Sequence, residues 1–272
     1  MKHTAGNIIK GGEVYQMAKA KVVSYFNLKG GTGKTTICAL TGLELAASGK
    51  HILIIDGDPQ SHMTKALARN LRFLATMNNV LTGGIALKDI AFAITEHLYL
   101  APSSLESYYA EAYYVLKKTI PYDFLQKKLK ESELLDEYDY ILIDLAPAPT
   151  FFMQTAIWAS DGVVVPLDTS QFSWNGINTM KNILELHKLD HVPRKYLANL
   201  VHGNSKDSLL MANDIMRLSD SFKTHIRKAR VIEKAVEARM PLSQIDTRPR
   251  RPYKPSEAFQ KYLEEFEEWL NG

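Results

Sequence analysis

Three observations predict a single α/β domain built on a mostly parallel β-sheet with helices over both faces. Short, continuous apolar runs recur along the 272 residues, amphipathic helical patterns separate them, and a glycine-rich loop joins the first run to the first helix. Continuous apolarity marks strands covered on both sides, as in parallel sheets, whereas a half-exposed strand would alternate. With 46% hydrophobic and 23% charged residues, the chain can bury one large core.

Residues 1–20 show no sustained periodicity and contain a Gly-Gly pair, so they are expected to form a flexible arm ahead of a domain at 21–272. Residues 21–27 read as the first buried strand. Residues 36–48 have helical spacing and end at Gly49. Residues 51–56, 140–144 and 162–166 are further apolar runs, and 196–201 is a weaker one. Helical patterns at 105–118, 123–135, 151–159, 175–188 and 208–218 supply the covers. Residues 256–270 close the chain as a helix, with Phe259, Tyr262, Leu263, Phe266 and Leu270 on one stripe and mostly Glu opposite.

Composition excludes several chemistries. Cys38 is the only cysteine, so one chain cannot build a disulfide or a Cys-rich metal centre, and its place in a helical pattern makes it a core residue. No stretch approaches the roughly 18 apolar residues of a membrane span. The amino terminus lacks a secretory apolar core, so the protein is expected in the cytoplasm. The net charge of +3 is uneven: residues 221–254 hold ten Lys or Arg and three acids, a local +7, which leaves the remainder at −4.

The chemistry concentrates in Lys29-Gly-Gly-Thr-Gly-Lys-Thr-Thr36. A phosphate cradle needs glycines so that successive N–H groups turn inward, a helix amino terminus that favours negative charge, and a lysine to reach the β and γ oxygens. Gly30, Gly31, Gly33 and Lys34 meet these needs, with Thr32 and Thr36 in the same stretch, and the Thr35 hydroxyl is spaced to ligate Mg²⁺. The general P-loop pattern would place its first glycine at position 28, which is Leu; a lysine, Lys29, follows.

That stretch resembles the deviant Walker A motif of the ParA/MinD family of P-loop ATPases at every specified position. Ile54-Ile-Asp-Gly-Asp-Pro-Gln60 looks like the family's second box. Tyr140-Ile-Leu-Ile-Asp-Leu-Ala-Pro147 looks like its Walker B strand, with Asp-Leu-Ala-Pro for the common Asp-x-Pro-Pro. Val163 to Phe172 with Gly176 resembles the strand and loop before the next family helix, and Arg230 to Pro241 loosely resembles a carboxy-terminal segment. The resemblance implies a single P-loop NTPase domain that binds ATP with Mg²⁺ and hydrolyses it slowly. Positioning and charge neutralisation would supply the catalysis.

The roles implied are specific. Lys34 holds the β and γ phosphates, Thr35 binds Mg²⁺, and Asp144 holds the metal through water, with Asp56 near its water shell. Asp58 orients the attacking water. Lys29 reaches across a face-to-face ATP dimer onto the partner's phosphates. By residue type alone, Asp56 and Asp58 would instead read as a turn before Pro59. The adenine contacts stay unassigned.

The partner follows from charge. Lys223, Arg227, Lys228 and Arg230, then Arg248, Arg250 and Arg251, form a cation cluster of the kind that binds phosphate backbones without reading bases, or else a solvated face. The resemblance favours non-specific DNA, an ATP-dependent homodimer, a ParB-like adaptor and a DNA-partition function, nucleoid-associated when ATP is bound. A MinD-like spatial regulator would need a basic amphipathic terminal helix. The terminal helix instead carries Glu257, Glu264, Glu265, Glu267 and Glu268. A protein-cargo positioning ATPase is the remaining alternative. The iron–sulfur carrier branch needs paired cysteines, and the tyrosine-kinase branch a tyrosine-bearing tail; Tyr108, Tyr109, Tyr113 and Tyr114 sit mid-chain at packing positions. The short arm argues against operator-specific repression, since no helix-turn-helix precedes the loop.

Overall fold

The apolar runs assemble into one sheet in the computed structural model, which describes all residues except 1–6, 11–12, 17–18, 70, 118–120, 171–172 and 247–252. In chain order the main strands are β3 (Lys21–Tyr25), β4 (Ile52–Gly57), β5 (Phe92–Ala93), β6 (Leu98–Ala101), β7 (Tyr140–Leu145), β8 (Gly162–Leu167), β9 (Arg194–Val201) and β10 (Ser221–Arg227). They lie in the order β10-β9-β8-β3-β7-β4-β6-β5, with every pair parallel except β5 and β6. Before them, β1 (Asn7–Lys10) and β2 (Glu13–Gln16) form a separate antiparallel pair within the stretch expected as an arm.

Successive side chains of a strand point to opposite faces, so a continuously apolar strand feeds two cores. Leu53, Ile55, Ile141 and Ile143 join one cluster, while Ile52, Ile54, Tyr140 and Leu142 join the other. The first cluster is covered by α3 (Met77–Leu81), α4 (Ser107–Lys117), α5 (Phe124–Glu131), α6 (Leu134–Glu137), α7 (Phe151–Trp158), α8 (Ser173–Leu186) and α9 (Lys206–Met216). The second lies under α1 (Lys34–Ala47), α2 (His62–Leu67), α10 (Arg230–Ala238), α11 (Leu242–Ile245) and α12 (Pro255–Asn271). Cys38 is fully buried there, and burial pushes its thiol pKa well up, as befits a core residue. The terminal helix buries the expected stripe, Phe259 through Leu270.

Three elements differ from expectation. The segment expected only as a cation cluster opens with β10, which buries Phe222 and Ile226 and leaves Lys223 outside. The short β6 supplies a strand beyond β4. The pattern at 123–135 breaks in two, because Glu133 adopts a left-handed φ of 58° between α5 and α6.

Strand order does the main work for the site. β7 runs between β3 and β4, and Asp144 pairs in register with Asp56 on one side and Tyr25 on the other. The carboxyl ends of three strands, and the loop that leaves β3, therefore converge at one edge of the sheet. Open α/β sheets place ligand crevices at such an edge.

Candidate functional site

The loop after β3 is fastened at both ends by side-chain amides, one from Asn27 at its start and one from another strand. Asn27 donates through Nδ2 to Pro166 O at 2.8 Å, and its Oδ1 accepts from Lys29 N at 3.0 Å. Asn199 on β9 donates through Nδ2 to Thr32 O at 2.8 Å. Gly31 and Gly33 take positive φ values of 76° and 88°, which glycine adopts without a steric cost. A methyl group at Gly33 would also lie 2.4 Å from the Asn199 amide nitrogen.

Gly33 is the residue before α1, and no side chain caps that helix end. The free N–H groups and the helix dipole make the end attractive to an anion. Lys34, at the first helical position, is only 7% exposed, and its Nζ donates to Lys29 O at 3.1 Å. Burial lowers its pKa, while Asp144 and Asp58 oppose that shift.

The carboxylates lie beside it. Thr35 donates through Oγ1 to Asp144 Oδ2 at 2.7 Å, while Asp144 Oδ1 is buried with no hydrogen-bond partner. Burial raises the Asp144 pKa well above the usual range, and neighbouring Asp56 raises it further. Asp56 is also fully buried; burial lifts its pKa to about 6 against hydrogen bonds from Thr64 Oγ1 at 2.6 Å, Thr64 N at 2.8 Å and Asp58 N at 3.2 Å. Asp58 accepts from Gln60 N at 2.8 Å, and His62 Nδ1 stands 4.0 Å from its other oxygen.

Lys34, Thr35, Asp58, Gln60 and His62 border a cavity of about 740 Å³ between the glycine loop, the Asp58 to Gln60 turn and residues Leu145 to Ala148. The donors fit a hard divalent cation such as Mg²⁺. The orphaned Asp144 oxygen is an unused carboxyl ligand, and the Thr35 hydroxyl spends its hydrogen on Asp144 and keeps its lone pairs. Asp56, fully buried, already accepts from Thr64 Oγ1, Thr64 N and Asp58 N, which leaves it less free than Asp144 to bind a metal directly.

Lys29 points elsewhere. Its Nζ contacts Asp168 Oδ2 at 2.5 Å and Ser170 Oγ at 2.7 Å, in the loop that follows β8.

The basic segment is split. Lys223 Nζ donates to Met216 O at 2.9 Å and Leu218 O at 3.1 Å, closing the end of α9. Arg227 lies 4.5 Å over the Tyr253 ring, and its backbone N donates to the Tyr253 hydroxyl at 2.9 Å. Lys228 borders the cavity itself, and Arg230 is exposed at the start of α10. Arg248, Arg250 and Arg251 lie outside the described residues.

Sequence reasoning missed Asn27, Thr64, Asn199 and Asp168. Only Asn27, directly before the loop, carried a local signal. Thr64 comes from the helix just after β4, and Asn199 and Asp168 reach the site through strand order.

Comparisons with known proteins agree with this geometry. A family model described as an AAA domain matches residues 20–195. The sporulation initiation inhibitor protein Soj of Bacillus subtilis is 32% identical over 168 residues, covering 61% of this chain and 65% of Soj. The maintenance of carboxysome distribution protein A of Synechococcus elongatus is 30% identical over 165 residues, covering 60% of this chain and 63% of that protein. Among solved structures, a putative plasmid partition protein of Borrelia burgdorferi bound to AMPPNP superposes with a TM-score of 0.75 at 18% identity, covering 92% of this chain and all of that one. The chain belongs to this AAA-domain family, and it is similar in sequence to Soj and in fold to the Borrelia partition protein.

Proposed function

We propose that this chain is an ATP-dependent DNA-partition ATPase that dimerises on ATP, holds DNA without regard to sequence, and releases it on hydrolysis stimulated by a ParB-like adaptor. The observation that carries the reading is the loop itself: Lys29 and Lys34 flank glycines at an uncapped helix end, beside the Thr35 and Asp144 pair. AMPPNP bound to the Borrelia partition protein of the same fold supports ATP as the ligand.

On this reading the N–H groups of Gly30 to Thr36 cradle the phosphates and Lys34 neutralises the β and γ oxygens. Thr35 and Asp144 would hold Mg²⁺, with Asp56 fixing its water. When bound, the metal neutralises charge that develops on the phosphate oxygens. Asp58, next to the cavity, orients the attacking water. Lys29 leaves Asp168 and Ser170 to reach the phosphates of a second copy, which makes closure of the dimer depend on the terminal phosphate. The cations around Lys223, Arg227, Lys228 and Arg230, with Arg248, Arg250 and Arg251, hold the DNA backbone by counterion release. ATP-bound dimers would then collect on the nucleoid. Among the described residues no helix is long and apolar enough to cross a membrane.

The test is DNA binding at one fixed salt concentration with Mg²⁺ plus ATP, with ADP, and without nucleotide, for the wild type and Lys29→Ala. Tight, sequence-blind binding confined to ATP and absent from Lys29→Ala supports the proposal. ATP binding with DNA ignored in every state would replace it with a protein-cargo or spatial-regulator role.

A further inference from the structure

One acid lies where an apolar residue belongs. On α4, Ser107, Ala110 and Tyr114 turn inward, and Glu111 shares their side of the helix, at the spacing of a buried face. Its carboxylate spans the amino terminus of α7: Oε2 accepts from Phe151 N at 2.7 Å and Oε1 from Phe152 N at 2.9 Å. Thr150 Oγ1 takes the next amide, Met153 N, at 3.0 Å. A fixed anion from another helix thus satisfies the first two N–H groups of α7 and complements its dipole.

What that end of α7 controls follows from its neighbours. The helix begins directly after the loop from Leu145 to Thr150, which leaves Asp144 and walls the phosphate cavity. Phe152 packs on Gly57, between Asp56 and Asp58: a methyl added at Gly57 would lie 2.4 Å from Phe152 Cε1. The same α4 helix reaches the other loop, where the Tyr108 hydroxyl accepts from Gln60 Nε2 at 2.9 Å. It is locked in place by Tyr114, stacked on Phe151 with ring centroids 3.9 Å apart. One helix therefore braces the segments that follow both Asp58 and Asp144.

We infer that Glu111 is a positioning residue for the ATPase site: by holding the amino terminus of α7 it sets the loop from Leu145 to Thr150 and the carboxylates beside it. The inference rests on the ATPase reading for its catalytic consequence but not for the anchor itself. Glu111→Gln keeps the size of the side chain. It loses the charge and turns one acceptor into a donor that faces a backbone N–H.

The experiment measures Mg·ATP turnover, ADP affinity, thermal unfolding and amide exchange on the whole chain, for the wild type, Glu111→Gln and Glu111→Asp. For Glu111→Gln, exchange at Phe151 and Phe152 should quicken at least tenfold and kcat should fall at least tenfold. ADP affinity should stay within threefold, because the cradle from Gly30 to Thr36 is untouched. Glu111→Asp, which retains the anion at the helix end, should recover part of kcat. A kcat of Glu111→Gln within twofold of wild type overturns the inference. So does a parallel loss of kcat, ADP affinity and melting temperature, which would mark a merely structural residue. A wild-type chain that turns over no ATP removes the ATPase reading, and exchange then decides the anchor alone. Unchanged exchange at Phe151 and Phe152 refutes it; faster exchange confined to residues 145–153 upholds it.

Discussion

Gly57 closes β4 between the two carboxylates, and its α-carbon faces a wall without slack. A Cβ there would stand 2.4 Å from Phe152 Cε1, 2.6 Å from Phe152 Cδ1 and 2.9 Å from Asp144 O. The backbone oxygen cannot yield without parting β4 from β7, so the ring must move by about 1 Å to reach ordinary contact. That ring is 2% exposed, and its residue's amide is bound by Glu111. Overpacking of this kind costs about 1–3 kcal/mol. Gly57→Ala should therefore lower the urea-unfolding free energy by about that amount. It should also weaken Mg-dependent turnover, because Asp56 and Asp58 flank the displaced bond. Phe152→Leu removes the ring carbons that the methyl would strike. The double variant should then lose less than the sum of the single variants by roughly 1 kcal/mol or more. Additive losses, or a Gly57→Ala protein within about 0.5 kcal/mol of wild type, would refute the packing argument.

Two further outcomes follow from individual groups. Burial holds the Asp56 pKa at about 6, above its ordinary 3.8, so its neutral form favours folding. That contribution is complete below the ordinary value and is lost as pH rises through about 6, a swing of about 3 kcal/mol. In metal-free buffer Asp56→Asn should flatten this part of the stability profile and exceed wild type at pH 7.5; identical profiles would count against it. Glu265 on α12 accepts from Lys223 N and Thr224 Oγ1 on the outermost strand, so Glu265→Ala should cost about 1–3 kcal/mol and speed exchange at the Lys223 amide. Unaltered exchange there would show that α12 does not pin β10.

The parts that were legible in the sequence are those specified locally. The runs that became β3, β4, β7 and β8 are apolar on both faces, and the glycine loop announces itself by spacing. β10 was hidden because its outward residues, Lys223 and Arg227, are the same cations that made the segment look like a binding surface; only Phe222 and Ile226 betray the strand. The helix break at Glu133 depends on a left-handed backbone at a residue with no special preference for it. Asn199 and Glu111 were out of reach for another reason. Asn199 meets Thr32 across 167 residues, and Glu111 meets Phe151 across 40, so their partners follow from strand order and helix placement, which no window of sequence encodes.

Strand order also explains why this edge should respond to a ligand. Placing β7 between β3 and β4 sets Asp144 opposite Asp56, and both carboxyls are fully or almost fully buried. Burial raises both pKa values; the neighbouring Asp58 charge adds to the rise at Asp56, and Asp56 adds to the rise at Asp144. The nearest compensating cation is Lys34, whose own charge is weakened by burial, while Lys29 is engaged by Asp168. The isolated chain thus sets buried carboxyls whose ionisation a cation would favour next to an uncapped helix end that favours an anion. A divalent cation together with a phosphate ligand answers both at once. Each should therefore bind far more weakly alone than with the other, and the pair should stabilise the fold in proportion to its joint affinity.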